Sequence, residues 1–209
     1  MMKHVVFAGC VTAMLAAGCG GPGREQHQDR VAITELVRKI EAIVGRIEGQ
    51  AGELARATAL TYADIGRIVG SVDTSRYAEA AGGVYYKAVD DGGPALWVSG
   101  VVPVDESIKR VAWATEAIDD DLKRIPQENP AVVQTYYNDR HSLNRIYPPF
   151  DVLSQYEPRM NIPEFNFYYL ADEQHNPERA VVWVDEPYVD PAGRGWMVSC
   201  IAPVYVGER

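Results

Sequence analysis

Cysteine is scarce in these 209 residues: Cys10, Cys19 and Cys200 are the only three. Cys10 and Cys19 sit near the start, so Cys200 stands alone beyond them and a disulfide framework is excluded. Cys200 alternates with apolar neighbours, as a small buried hydrophobe does. Basic charge is also in deficit. Against 29 Asp and Glu there are 20 Lys and Arg, a formal net charge of −9 with a pI near 4.9. That balance excludes a nucleic-acid partner and an electrostatic grip on a membrane. The one apolar run, Val5 to Ala17, is too short to span a bilayer. The chain has no His-Glu-x-x-His, no Gly-x-Ser-x-Gly and no phosphate-cradling glycine loop. His141 and His175 lack metal-ligand partners at useful spacing, so no metal and no cofactor is expected. Asp185, Glu186 and Asp190 come nearest to paired carboxylates, but adjacent strand residues point to opposite faces. An enzyme is therefore not expected, and no internal repeat or low-complexity block is present.

What is there begins with a short basic lead, Met1 to His4, before the apolar run. The run ends Leu15-Ala16-Ala17-Gly18-Cys19, which resembles the lipobox of bacterial lipoproteins, with small residues ahead of a lipidated cysteine. Phe7-Ala8-Gly9-Cys10 is a poorer match with too short an apolar region before it. The resemblance implies a signal peptide over residues 1–18, lipidation at Cys19 and a flexible tether over residues 19–27. The expected location is the cell envelope, on the periplasmic side, with the membrane met only through that lipid. An ordinary cleaved secretory signal is the alternative.

Proline is absent from Gln28 to Val72, and Ile40, Val44, Ile47, Ala51, Leu54, Thr58, Thr61, Ile65, Ile68 and Val72 recur in steps of four and three. That spacing predicts one helix over residues 28–75 with a narrow stripe facing a partner surface. Forty-odd residues make a rod of about 60 Å. The stripe suits a dimer seam or the protein's own domain.

After Ser75 the period changes. Strands are predicted from Gly83 to Val89 and from Ala95 to Val104, with a turn at Asp90 to Pro94. Asp105 starts a helix carrying Ile108 to Leu122, which Pro126 closes. Val132 to Tyr137 reads as a strand, and residues 139–163 as an irregular excursion with one helical turn around Val152. A short helix is expected near Phe165 to Ala171. Ala180 to Val184 and Trp196 to Val206 look like the clearest strands, linked through the turn at Asp190 to Gly193. The fold class is α+β: a long helix, then over residues 76–209 a PAS-like antiparallel sheet with flanking helices.

The candidate site follows from residue types. A guanidinium at Arg145 offers a planar fork for a carboxylate. Asp190 supplies an acceptor for an ammonium, and rings from Tyr136, Tyr137, Tyr147, Tyr168, Trp183 or Tyr188 can exclude water around both. Arg145 pairing with Asp139 or Asp151, and Asp190 opening the turn before Pro191, are the alternatives.

Arg145-x-Tyr147-Pro148, then Tyr188-x-Asp190, a glycine turn and Trp196 to Tyr205, all behind a long helix, resemble the extracytoplasmic Cache (double-Cache, PAS-like) sensor domains of bacterial chemoreceptors and sensor kinases. The resemblance implies a ligand-binding lobe for amino acids, organic acids, amines or similar metabolites, acting in signal transduction with a chemotaxis-like logic. It also implies that Arg145 and Tyr147 take the ligand carboxylate while Tyr188 and Asp190 seat its amine. The sequence departs from the amino-acid-sensing form, which has Arg-x-Trp-Tyr. Here Tyr147 and Pro148 take the last two places, and position 140 is Arg where that form has Tyr. A later Asp-bearing strand and the second lobe fall outside these residues, which leaves a truncated lobe open. The expected partners are a carboxylate- or amine-bearing small molecule and a homodimer mate or partner receptor. A non-binding envelope scaffold that dimerises through the long helix is the competing function.

Overall fold

The computed structural model describes residues 22–206; the expected signal peptide and lipidation site at Cys19, and the end of the chain after Val206, lie outside them. The chain divides into two compact units, up to Glu41 and from Ala42 onward. Helix α1 spans Pro22–Ala63. It starts earlier than predicted, and residues 22–27, expected as tether, are its first turns. Pro22 fits a first helical position because its missing N–H has no partner there anyway. In the first unit, Thr34 Oγ1 donates to the Arg30 carbonyl at 2.8 Å, and Lys39 pairs with Glu35 at 3.6 Å.

In the second unit α1 does not run through to Val72. It breaks at Asp64, and α2 (Ile65–Val69) follows. Thr58 and Thr61 donate back to the carbonyls of Leu54 and Ala57 at 2.8 and 3.1 Å, a pattern that bends helices. The second unit is mixed helix and sheet, the α+β class. Its five-stranded sheet is antiparallel throughout, in the order β1-β2-β3-β5-β4. The strands are β1 (Tyr77–Glu79), β2 (Tyr85–Lys87), β3 (Ala95–Val98), β4 (Thr135–Asn138) and β5 (Leu143–Tyr147). Between β3 and β4 run α3 (Glu106–Ala114) and α4 (Asp119–Glu128). Asp105 caps α3 as predicted, accepting from the Ile108 N–H at 3.0 Å. The single predicted helix is broken at Thr115, and α4 continues past Pro126 to Glu128.

Alternation along each strand sorts the side chains onto two faces. On one face Tyr85, Leu96, Val98, Tyr137 and Leu143 pack with Ile108, Ala112, Ile118 and Leu122 of the α3–α4 region and with Leu54 and Tyr62 of α1. On the other, Val84, Trp97 and Ile146 pack under α5 (Val152–Gln155), α6 (Asn166–Tyr169) and the C-terminal segment.

Two expectations about strands are overturned. Leu143–Tyr147 was expected within the irregular excursion, yet it is the longest strand of the sheet. Its apolar signal is hidden because Asn144 and Arg145 are both buried, at 4 % and 0 % exposure. The presumed clearest strands lie outside the five-stranded sheet, so two strands rather than three follow the helices in it. They form two short ladders, β6 (Val182–Trp183) with β9 (Cys200–Ile201) and β7 (Tyr188–Val189) with β8 (Trp196–Met197).

Candidate functional site

Arg145 of β5 sits on the face covered by α3 and α4. Its Nε donates to Thr115 Oγ1 at 3.0 Å and its Nη1 to Asp119 Oδ1 at 2.8 Å. Nη2 donates to the Tyr77 hydroxyl at 3.0 Å and to the Ala112 carbonyl at 2.6 Å. Burial pushes the Asp119 carboxyl up, and the opposing pull comes chiefly from Arg145. The guanidinium is thus spent on the protein's own core and has no fork left for a ligand. Asp139 and Asp151 do not take it either. Asp139 accepts from the N–H groups of His141 and Leu143, and Asp151 caps α5.

Tyr137 stands opposite Arg145 in the β4–β5 ladder. Its hydroxyl meets that of Tyr62 at 2.5 Å, and burial pushes the Tyr62 phenol up to about 12. Tyr147 packs against the same cluster. Arg145, Tyr147 and Tyr137 therefore serve the helix-covered face, and none of the three lines the cavity on the opposite face.

The opposite face holds a small cavity of about 20 Å³, lined in part by Gln134, Tyr136, Asn138, Asn144, Tyr156, Phe167, Tyr188 and Asp190. That is room for a single water. β4 and the residue before it place Gln134, Tyr136 and Asn138 on this face by alternation, and β5 places Asn144 and Ile146 there. The rings of Phe167 and Tyr188 lie 5.0 Å apart, and those of Tyr136 and Phe167 lie 6.0 Å apart edge to face. Ser199 ties two of these residues together: the Tyr136 hydroxyl donates to its Oγ at 2.8 Å, and the Tyr188 hydroxyl meets the same atom at 2.6 Å. Burial holds the phenols of Tyr136 and Tyr188 above their usual range, so both stay neutral at ordinary pH.

Asp190 is 6 % exposed. Its Oδ1 accepts from Gln134 Nε2 at 3.3 Å and its Oδ2 from the Arg194 N–H at 3.1 Å. The turn forms as predicted, with the Gly193 N–H on the Asp190 carbonyl at 3.0 Å. Gly193 adopts φ +80°, and an added Cβ would lie 2.9 Å from Gln155 Oε1. Asp190 therefore both opens the turn and lines the cavity. Asn144 Nδ2 donates to Asn138 Oδ1 at 2.7 Å, and the Tyr156 hydroxyl to Asn144 Oδ1 at 3.2 Å. Gln134 Oε1 and Trp97 Nε1 are buried with no partner among the described residues.

Of the eight residues singled out from the sequence, Tyr136, Tyr188 and Asp190 line this cavity. Tyr168 packs on the surrounding cluster behind it. Trp183 donates from Nε1 to Glu48 Oε1 of α1 at 2.9 Å, which makes it a strut between helix and ladder. Sequence reasoning passed over Gln134, Asn138, Asn144, Tyr156 and Phe167 as site residues. Had Leu143–Tyr147 been read as a strand, alternation would have put Asn144 and Arg145 on opposite faces. Cys200 is half-buried, and burial pushes its thiol up to about 12, leaving it protonated and unreactive.

Among the described residues no cluster of three or more His, Cys, Asp or Glu is placed to hold a metal ion, and no helix is long and apolar enough to cross a membrane. No family model, no curated protein and no solved structure matches the chain.

Proposed function

We propose that this chain is a lipid-anchored small-molecule sensor of the bacterial envelope, with a Cache-type PAS-like lobe over residues 76–209 and an ammonium-bearing ligand. One observation carries the reading: the buried Asp190 carboxylate makes no ion pair among the described residues and sits in a cage of Tyr136, Tyr156, Phe167 and Tyr188. A carboxylate that is desolvated without a cation is costly, and a ligand ammonium relieves that cost. The ring faces attract the same charge. With Arg145 occupied by Asp119, no cation is left at the cavity for a ligand carboxylate, so an amine fits better than an organic acid. A charged hydrogen bond is worth about 1.5–3 kcal/mol net, which with ring packing suits micromolar binding. A cavity of about 20 Å³ admits such a ligand only as Tyr156, Phe167 and Tyr188 move apart. Binding is then coupled to movement of α5 and α6, which is how differential affinity for two states produces a signal.

The small cavity also favours a second reading, an envelope scaffold whose lobe binds nothing. Thermal shift across small amines, amino acids and organic acids separates the two. The sensor reading expects an amine that raises the melting temperature, with the gain lost in Asp190→Asn. Stabilisation by organic acids alone would refute the amine, and no stabiliser across the panel would favour the scaffold.

A further inference from the structure

Gln134, the residue before β4, turns its side-chain amide toward Asp190, and only the nitrogen of that amide is used. Nε2 donates to Asp190 Oδ1 at 3.3 Å and to Met197 Sδ at 3.5 Å, which accounts for both of its N–H groups. Oε1 is buried and has no partner among the described residues. Turning the amide over does not relieve it, because Oε1 would then face the Asp190 carboxylate, acceptor against acceptor. A buried acceptor without a donor carries the desolvation cost of an unmade hydrogen bond.

The cavity that Gln134 lines is where a donor can enter. Each Asp190 oxygen accepts once, from Gln134 and from the Arg194 N–H, and each has room for a second donor. The Gln134–Asp190 bond keeps the two acceptors on touching side chains, within the span of one ammonium. Rings of Tyr136, Tyr156 and Tyr188 line the same space. Rings alone suit a quaternary ammonium, which is held by its charge. A quaternary head has no N–H, however, and would leave Gln134 Oε1 buried and unpaired. A site with a buried hydrogen-bonding group rejects the analogue that cannot meet it. Building on the amine reading proposed above, on which this step rests, we infer that Gln134 sets the class of amine. The site takes primary and secondary ammonium groups, with one N–H on Asp190 and another on Gln134 Oε1, and discriminates against tertiary and quaternary ones.

Titration calorimetry on the full chain with two methylation series tests this. One series is ethanolamine, N-methylethanolamine, N,N-dimethylethanolamine and choline; the other is 2-phenylethylamine with its N-methyl, N,N-dimethyl and N,N,N-trimethyl derivatives. The members of each carry three, two, one and no N–H on the charged nitrogen. Affinity should change less than about threefold at the first methyl and fall about tenfold at each of the next two, one hydrogen bond being lost each time. Crowding by methyl groups alone would cost a similar factor at every step. Gln134→Met keeps the bulk without Oε1, so the fall at the second methyl should vanish while the fall at the third remains. General damage to the cavity would instead weaken all four members alike. An even decline in the native chain, or a quaternary member that binds as well as its primary parent, overturns the role of Gln134 and leaves the amine reading standing. A native pattern that persists in Gln134→Met overturns that role as well. The native series decides the matter even where the variant does not fold. Binding by no member of either series overturns this inference together with the amine reading.

Discussion

The Arg145 guanidinium and the Asp119 carboxylate meet at 2.8 Å beneath the sheet, where Arg145 is fully buried and the Asp119 side chain is 19 % exposed. Thr115, Tyr77 and the Ala112 carbonyl complete the guanidinium's partners, so α3, α4, β1 and β5 converge on one cation. Removing that cation leaves a largely buried carboxylate and three oxygen acceptors short of a donor. Arg145→Ala should cost about 3–5 kcal/mol of stability, read as a lower urea midpoint with an unchanged slope. Arg145→Lys should recover only a minor part, because an ammonium cannot reproduce the planar fork. A ligand-binding assay on either variant would report this damage to the core rather than a site contact.

Ser199 joins the Tyr136 and Tyr188 hydroxyls through one oxygen. Ser199→Ala strands two buried phenols, with an expected cost of about 1–3 kcal/mol. Tyr188→Phe in the same background should bring the loss below the sum of the two single changes, measured as a coupling in a double-mutant cycle.

Asp105 caps α3, accepting from the Ser107 hydroxyl at 2.6 Å and the Ile108 N–H at 3.0 Å. These bonds, the Ser107 hydroxyl first, hold its carboxyl below the usual range. A depressed carboxyl contributes stability that is present above the unfolded value and is lost as pH falls through the folded one. Asp105→Ala should therefore melt at a lower temperature than the native chain near neutrality. That gap should close as the pH falls through the native cap's own value, which lies below the usual carboxylate range. Asp105→Asn should keep most of the cap and show little of this pH dependence, because a neutral amide oxygen accepts the same bonds.

Gly193 takes φ +80° in the turn that begins at Asp190. Alanine there would be strained in the left-handed region and would press on Gln155. Gly193→Ala should cost about 1–2 kcal/mol. If Asp190 seats an ammonium, the same change should weaken binding of any stabilising amine, read as a smaller thermal shift at equal ligand concentration.

The features legible before folding were those set by neighbours in the chain. Proline-free periodicity marked α1, though the chain has helix from Pro22 and breaks at Asp64. Asp105 announced α3, Asp190 to Gly193 announced their turn, and the run from Gly83 to Val89 marked β2. Tyr188 and Asp190 were found because the turn that positions them is local. The rest was not legible, because a strand buried on both faces by Asn144 and Arg145 carries no apolar alternation to read.

Sequence alone thus determined that a long helix precedes an α+β lobe, since hydrophobic period and capping are properties of consecutive residues. Only the tertiary structure decided which face of the sheet each charge serves. The pairing of β5 with β3 and β4 turns Arg145 toward Asp119 and Asn144 toward Tyr156. That assignment depends on register between strands far apart in the chain, and a side chain's partner across such a distance is fixed by packing.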